Sequence, residues 1–448
     1  MMQISPERQN SDVRAIAKRS RIAARTLATI PDELRKAALH LAADLLVERR
    51  AEILRANEQD VSAAERAVAS GRLTRSMLAR LKTSERGIHE MAARVRDVAG
   101  LEDPLNRLLT ETELDDNLIL RKTTSPLGVV AIVFESRPDV IPQVASLTLR
   151  SGNAVIFKGG SEAGNTNEVL ITVWRDALKR IPPIGEDSIN SLRTRADVGE
   201  LLDLHDEIDL IIPRGSREFV RYIAENTRIP VLGHGEGICH VYVDGAADLE
   251  QAQNIAFDSK VQYPAACNAM ETLLVHERIA PRFLPDMIDR FQEAGVEVRG
   301  CERTLRLGRN DNLIPATEQD WATEYSDLIV AIRVVDSVAA AIEHIQQFGS
   351  GHTESIVTED KELAGYFMDV IDAAGVFHNA STRFADGFRY GLGAELGIST
   401  GKLHGRGPVG LEGLTTYKYR LFGQGQTVES YTSGERTFKH RLLSSAGT

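Results

Sequence analysis

The 448-residue chain has three cysteines, Cys239, Cys267 and Cys301, each alone in the sequence. That excludes a disulfide framework and a zinc knuckle, and it points to reduced thiols in a cytoplasmic setting. No apolar run reaches about 18 residues, and no secretory pattern opens the sequence. Neither a membrane span nor export is expected. Basic charge is in deficit, with 53 Lys and Arg against 64 Asp and Glu, mixed along the chain. No nucleic-acid partner is expected from that balance. The dinucleotide fingerprint GxGxxG is missing, because neither Gly233-x-Gly235-x-Gly237 nor Gly391-x-Gly393 completes its spacing after an early strand. A Walker A loop is missing as well.

What is present describes a soluble globular protein, 42% hydrophobic and 26% charged, and long enough for two or three domains. Residues 12–59 and 73–98 have helical spacing, and Asp32-Glu33 places acids in a first helical turn after Pro31. Residues 108–122 suggest a hairpin turning at Asp115-Asp116-Asn117. A matching strand signal at Leu414–Tyr419 suggests one small sheet, used for oligomerisation. From Gly128 the pattern changes to buried strands alternating with helices. Strands are expected near 128–134, 153–157, 208–212 and 229–232, then near 240–243, 272–275, 296–299, 328–335 and 355–357. The fold class is therefore α/β, with two doubly wound domains. A ligand is expected in the crevice between them, at the carboxyl ends of the strands.

Cys267 lies in Tyr263-Pro264-Ala265-Ala266-Cys267-Asn268, where Pro264 ends the preceding helix and a buried strand follows. A thiol there is either a nucleophile or a small buried hydrophobe. Four other loops look prepared for a ligand. Glu135-Ser136-Arg137-Pro138 ends the first buried strand, and Lys158-Gly159-Gly160-Ser161-Glu162 ends the second. Lys158 above a helix N-terminus suits a phosphate, with Ser161 as the cap. Pro213-Arg214-Gly215-Ser216 repeats that arrangement. Gly351-His352-Thr353 with Asn379-Ala380-Ser381-Thr382-Arg383 is a polar set able to orient a small anion.

Taken together, these stretches resemble the gamma-glutamyl phosphate reductase family, a branch of the aldehyde dehydrogenase superfamily. The resemblance runs to about Tyr419, through Pro126–Val129, Ser151–Val155, Gly233–His240, Pro264–Val275, Asn379–Phe384 and Gly391–Thr400. It implies NADPH-dependent reduction of L-glutamyl 5-phosphate to L-glutamate 5-semialdehyde, with Cys267 forming a thioester. The same resemblance implies that Asn268 or Ser136, with the Cys267 N–H, serves the oxyanion. Arg137, His352, Ser381 and Arg383 would hold the glutamyl carboxylate and the leaving phosphate. Lys158, Ser161, Glu162, Arg214, Gly215, Ser216 and Glu324 would hold NADPH, with Arg214 beside the adenosine and pyrophosphate. The implied domains are 1–107 with 125–235 (also receiving 386–408) for NADP, 236–385 for the cysteine, and 108–124 with 409–448 for oligomerisation. A homo-oligomer and transient contact with glutamate 5-kinase complete the implied partners.

Hydrolytic relatives carry a glutamate base ahead of the cysteine, where this chain reads His234-Gly235-Glu236-Gly237. A thioester discharged by hydride does not need water activated there. The readings left open are a semialdehyde dehydrogenase acting on another short acid, a cysteine hydrolase using His240 or His276, and a non-catalytic dinucleotide-binding scaffold. The segment from about Thr427 has no assigned role.

Overall fold

The computed structural model describes residues 13–445, apart from 195, 234, 235 and 311. Five helices come first: α1 (Val13–Leu27), α2 (Asp32–Glu48), α3 (Arg50–Ala69), α4 (Arg75–Leu81) and α5 (Glu85–Gly100). α2 starts directly after Pro31 with Asp32 and Glu33 in its first turn, and it buries Leu39, Ala42, Leu45 and Leu46 as one stripe. The hairpin follows as β1 (Leu108–Asp115) and β2 (Leu118–Pro126).

The first parallel sheet contains β3 (Val129–Phe134), β4 (Ala154–Lys158), β5 (Ile189–Ser191) and β6 (Leu210–Arg214), in the order β5-β4-β3-β6. Every residue of β3 and β4 is buried, which explains their unbroken apolar runs. Strand order reverses between β3 and β6, so their carboxyl ends open a crevice at a topological switch point. The helices α6 (Val140–Arg150), α7 (Gly164–Lys179) and α8 (Ala196–Leu202) connect these strands, and α9 (Arg217–Glu225) follows β6. The strand expected at 229–232 is only a single bridge between Val231 and Ile211, because Pro230 removes a ladder donor.

The second sheet is wider. It holds β7 (Cys239–Val243), β8 (Met270–His276), β9 (Glu297–Gly300), β10 (Ile314–Pro315), β11 (Ile329–Val335), β12 (Thr353–Val357) and β13 (Gly375–His378). All its pairs are parallel, in the order β10-β9-β11-β8-β7-β12-β13. Sequence patterning missed β13, whose four residues are mostly half-buried at the sheet edge. A short pair, β14 (Ile398–Ser399) with β15 (Gly407–Pro408), follows.

The expected small sheet forms, since β16 (Thr415–Phe422) pairs with β2 from Pro126 to Ile119. It has one strand more than expected. The C-terminal segment supplies β17 (Arg441–Ser445), which covers the free edge of β1. Among the described residues no helix is long and apolar enough to cross a membrane.

Candidate active site

Helix α10 (Leu249–Val261) ends before Pro264, and two tight turns carry the chain through Cys267 into β8. The Ala266 N–H donates to the Tyr263 carbonyl at 3.2 Å, and the Ala269 N–H donates to the Ala266 carbonyl at 2.9 Å. Three further contacts pin this loop. Gly237 packs so closely that a Cβ there would stand 2.0 Å from the Cys267 carbonyl oxygen. The Cys239 thiol donates to that same oxygen at 3.3 Å. On the other side the Asn268 amide donates to the Ala385 carbonyl at 2.8 Å. The Cys267 N–H has no partner among the described residues, as an oxyanion donor requires.

This placement corrects the expected geometry in one respect. The first sheet does present its carboxyl ends, but the cysteine stands at the amino end of β8. Gly237, Glu324 and His352 likewise lie in segments leading into β7, β11 and β12. Parallel strands share one direction, so these four segments converge at one edge of the sheet.

Burial pushes the Cys267 thiol up to about 12, reinforced by Glu324 and Glu395 and opposed by Arg214 and Arg383. The free thiol is thus protonated at neutral pH and needs its cations. Arg383 is 6% exposed and is held by the Gln262 side chain at 2.9 Å, with the Tyr263 ring 5.8 Å from its guanidinium. Arg137 pairs with Asp139 at 2.8 Å. Glu324 accepts the Gly237 N–H at 3.0 Å, which ties the segment before β11 to the floor of the cysteine.

Several expected roles change. Arg214 donates to the Leu396 carbonyl and is coupled electrostatically to Arg137, Glu395, Asp139 and Cys267, which brings it to the cysteine side of the cleft. The Ser136 hydroxyl and N–H both donate to Glu162 Oε1, each at 2.7 Å. A hydroxyl has one proton, so Ser136 is not an oxyanion donor in this geometry, and Glu162 braces that loop through Oε1. His352 is 1% exposed, with its Nδ1 3.6 Å from the Cys239 sulfur and 2.8 Å from the Thr353 hydroxyl. It supports the cysteine floor and does not line an open cleft. Ser381 is 5% exposed and accepts the Arg383 N–H at 3.3 Å, acting as a local cap.

On the cofactor side, Lys158 ends β4 with its ammonium on the Gly159 carbonyl at 2.5 Å. Ser161 opens a short 3-10 turn and caps nothing. The first amides of α7 are already taken by Asp60 of α3, at 3.2 Å from the Asn165 nitrogen and 2.8 Å from the Thr166 nitrogen. That buried carboxylate occupies the anion position the sequence suggested for a phosphate. The N-terminus of α9 is open by contrast. Gly215 and Ser216 are exposed there, with the Ser216 hydroxyl capping the Phe219 N–H at 3.3 Å.

Sequence reasoning missed Glu395, Cys239 and Gly237 as parts of this site. Glu395 carried a signal, a lone acid inside a glycine-rich stretch. Cys239 and Gly237 carried none, because their role is packing against a residue thirty positions away. His234 and Gly235 lie outside the described residues.

The model of the aldehyde dehydrogenase family matches residues 2–308. The gamma-glutamyl phosphate reductase of Natronomonas pharaonis is 55% identical over 419 residues, covering 93% of this chain and 95% of that protein. That of Synechococcus sp. is 53% identical over 433 residues, covering 96% and 95%. Among solved structures, the gamma-glutamyl phosphate reductase of Thermotoga maritima superposes with a TM-score of 0.89 at 42% identity, covering 93% of this chain and 100% of that one.

Proposed function

The chain belongs to the gamma-glutamyl phosphate reductase family of the aldehyde dehydrogenase superfamily, and we propose a division of labour among its residues. The reaction is reduction of L-glutamyl 5-phosphate to L-glutamate 5-semialdehyde and phosphate through a cysteine thioester, the second step of proline synthesis from glutamate. Cys267 is the nucleophile. Its sulfur attacks the acyl carbon, the C–O bond to phosphate breaks, and the phosphate leaves as the hydrogen phosphate dianion with the proton that the thiol gives up. The Cys267 N–H supplies the donor for the oxyanion, while Asn268 keeps the loop in place through Ala385. Arg214 and Arg383 favour the thiolate and, with Arg137, receive the phosphate and the α-carboxylate. The observation that carries this assignment is the loop that holds Cys267 between Gly237 and Ala385, with Arg383 buried beside it on Gln262.

The fold is that of the NADP(H)-using aldehyde dehydrogenases, and NADPH itself is our assignment. The residues present fit it: a cation at the end of β4 and an exposed helix N-terminus at the end of β6. Lys158 would hold the 2′-phosphate, Gly215 and Ser216 the pyrophosphate, and Glu324 the nicotinamide ribose. When bound, NADPH supplies the hydride that reduces the thioester. The chain's own task in that step is to keep the thioester at the Cys267 N–H and to avoid activating water beside it.

The proposed domains are 1–107 with 125–235 and 386–408, then 236–385, then 108–124 with 409–448. Tyr417, Tyr419, Leu421, Leu442 and Leu443 are exposed on the small sheet, which favours a homo-oligomer built there. A cytoplasmic setting and transient delivery of the labile acyl phosphate by glutamate 5-kinase fit the same reading.

The deciding experiment is the reverse reaction with glutamate 5-semialdehyde and NADP⁺, followed at 340 nm with and without phosphate. Strict phosphate dependence is expected. Equal turnover without phosphate would turn the reading into a hydrolytic dehydrogenase.

A further inference from the structure

The cationic face of the cysteine cluster accounts for the anionic groups of the substrate and leaves its α-ammonium unassigned. Glu395 is the acid that remains. It is half-buried and accepts the Gly387 N–H through Oε2 at 2.8 Å, and it has no ion pair within 4.0 Å among the described residues. Of the acids nearby, Asp139 pairs with Arg137 and Asp386 with Arg389, while Glu324, which accepts the Gly237 N–H, is assigned above to the cofactor. Glu395 is also anchored to the nucleophile's surroundings. Asn268 holds the Ala385 carbonyl, Glu395 holds the amide two residues further on, and the Gln143 side chain holds the Glu395 carbonyl at 2.6 Å. Arg214 takes the next carbonyl, that of Leu396. The carboxylate is therefore held on the Gly387 N–H, on a backbone fixed by Gln143 and Arg214, and is coupled electrostatically to Arg214, Arg137 and Cys267.

We propose that Glu395 receives the α-ammonium of the glutamyl group, so that it selects an amino acid and holds the amine away from the acyl carbon. The inference rests on the glutamyl phosphate reading above. Burial raises the pKa of Glu395, as expected for a carboxylate awaiting a cation, while Arg214 and Arg137 oppose that rise. The second consequence is chemical. In a γ-glutamyl thioester the free α-amine can close a five-membered ring on the acyl carbon. The N–C bond forms, the C–S bond breaks, the amine proton passes to the leaving thiolate, and 5-oxoproline is released. An amine kept as ammonium on Glu395 has no lone pair for this attack.

The test compares wild type with Glu395→Gln in the reverse reaction, using glutamate 5-semialdehyde and its analogue without the amine, 5-oxopentanoate. Glutamine keeps an acceptor for the Gly387 N–H and removes only the charge. The expected result is a fall of about tenfold or more in the ratio of kcat/KM for glutamate semialdehyde to that for 5-oxopentanoate, any change in thiol reactivity being common to both. Comparing the two enzymes on each substrate cancels the fraction lost to the semialdehyde's own cyclic imine. Equal losses on both substrates, or none on either, would overturn the inference while wild-type phosphate dependence still stood. Absence of phosphate-dependent turnover in the wild type would instead overturn the reading beneath it. With phosphate omitted, the variant is expected to release one 5-oxoproline per NADPH formed, faster than wild type. A lowered selectivity without that release keeps the anchor and removes the protective role.

Discussion

Both halves of this protein bury charge at the amino ends of their strands, and the two differ in what stands there. In the first sheet that end is the back. Arg150 is fully buried against Asp32, and Asp209 takes the Val129 N–H at 2.7 Å, while the ligand loops leave from the opposite edge. In the second sheet that end is the front. His240 bonds Glu354 at 2.9 Å and Lys260 bonds Glu271 at 2.6 Å, all four side chains buried, directly beneath the loop that carries Cys267. The Glu354 carboxyl and the Glu271 carboxyl are both pushed up by desolvation, against the pull of His240 and Lys260 respectively. The lesson is that the cofactor edge carries single charges at the ends of apolar strands, such as Lys158 at the end of β4. The nucleophile rests on paired charges that cannot rearrange without exposing one another.

Breaking that contrast at its centre should have the largest effect. Cys267→Ala is expected to lower turnover by at least about 10⁴-fold with NADPH binding and melting temperature retained. Persisting turnover in a folded variant would refute the mechanism. Next, Lys260→Met leaves Glu271 buried and unpaired, and should cost about 3–5 kcal/mol in urea unfolding. Adding Glu271→Leu should return much of that loss. The surface pair Arg14–Glu207 belongs to the other half and has its arginine 57% exposed, so Arg14→Ala should change stability by less than about 1 kcal/mol.

Glycines sharpen the comparison further. Gly237→Ala would drive a methyl into the Cys267 carbonyl, and a loss of about 100-fold in kcat is expected, with slower alkylation of the thiol. Gly164 at the start of α7 meets nothing within 4 Å, and alanine there should leave kcat unchanged. The cofactor edge should show a moderate effect, confined to binding. Lys158→Ala should weaken NADPH by roughly 1.5–3 kcal/mol and NADH by much less, measured by titration of intrinsic fluorescence. Equal weakening of both would assign the lysine elsewhere.

Local pattern was enough to show the two α/β series, the small sheet and the loop around Cys267, because strand burial and proline punctuation are written in consecutive residues. Val129–Phe134 is unbroken and apolar since both its faces are covered. The residues that matter most around the thiol were harder to see. Gly237 and Cys239 act through contacts with the Cys267 backbone made possible by the pairing of β7 with β8, where Cys239 lies opposite Met270. No spacing in the sequence encodes that meeting.

By itself, then, the sequence singled out the loop around Cys267, the fold class, the presence of several loops suited to anions and the family resemblance, all properties of short contiguous stretches. Only the tertiary structure decided how those loops are used. It gave the N-terminus of α7 to Asp60, bound Ser136 to Glu162, moved Arg214 to the cysteine and brought Glu395 beside it. The physical reason is that a charged or hydroxyl group can satisfy only the partners that packing brings within about 3 Å. Those partners come from segments as far apart as residues 60, 162, 267 and 395.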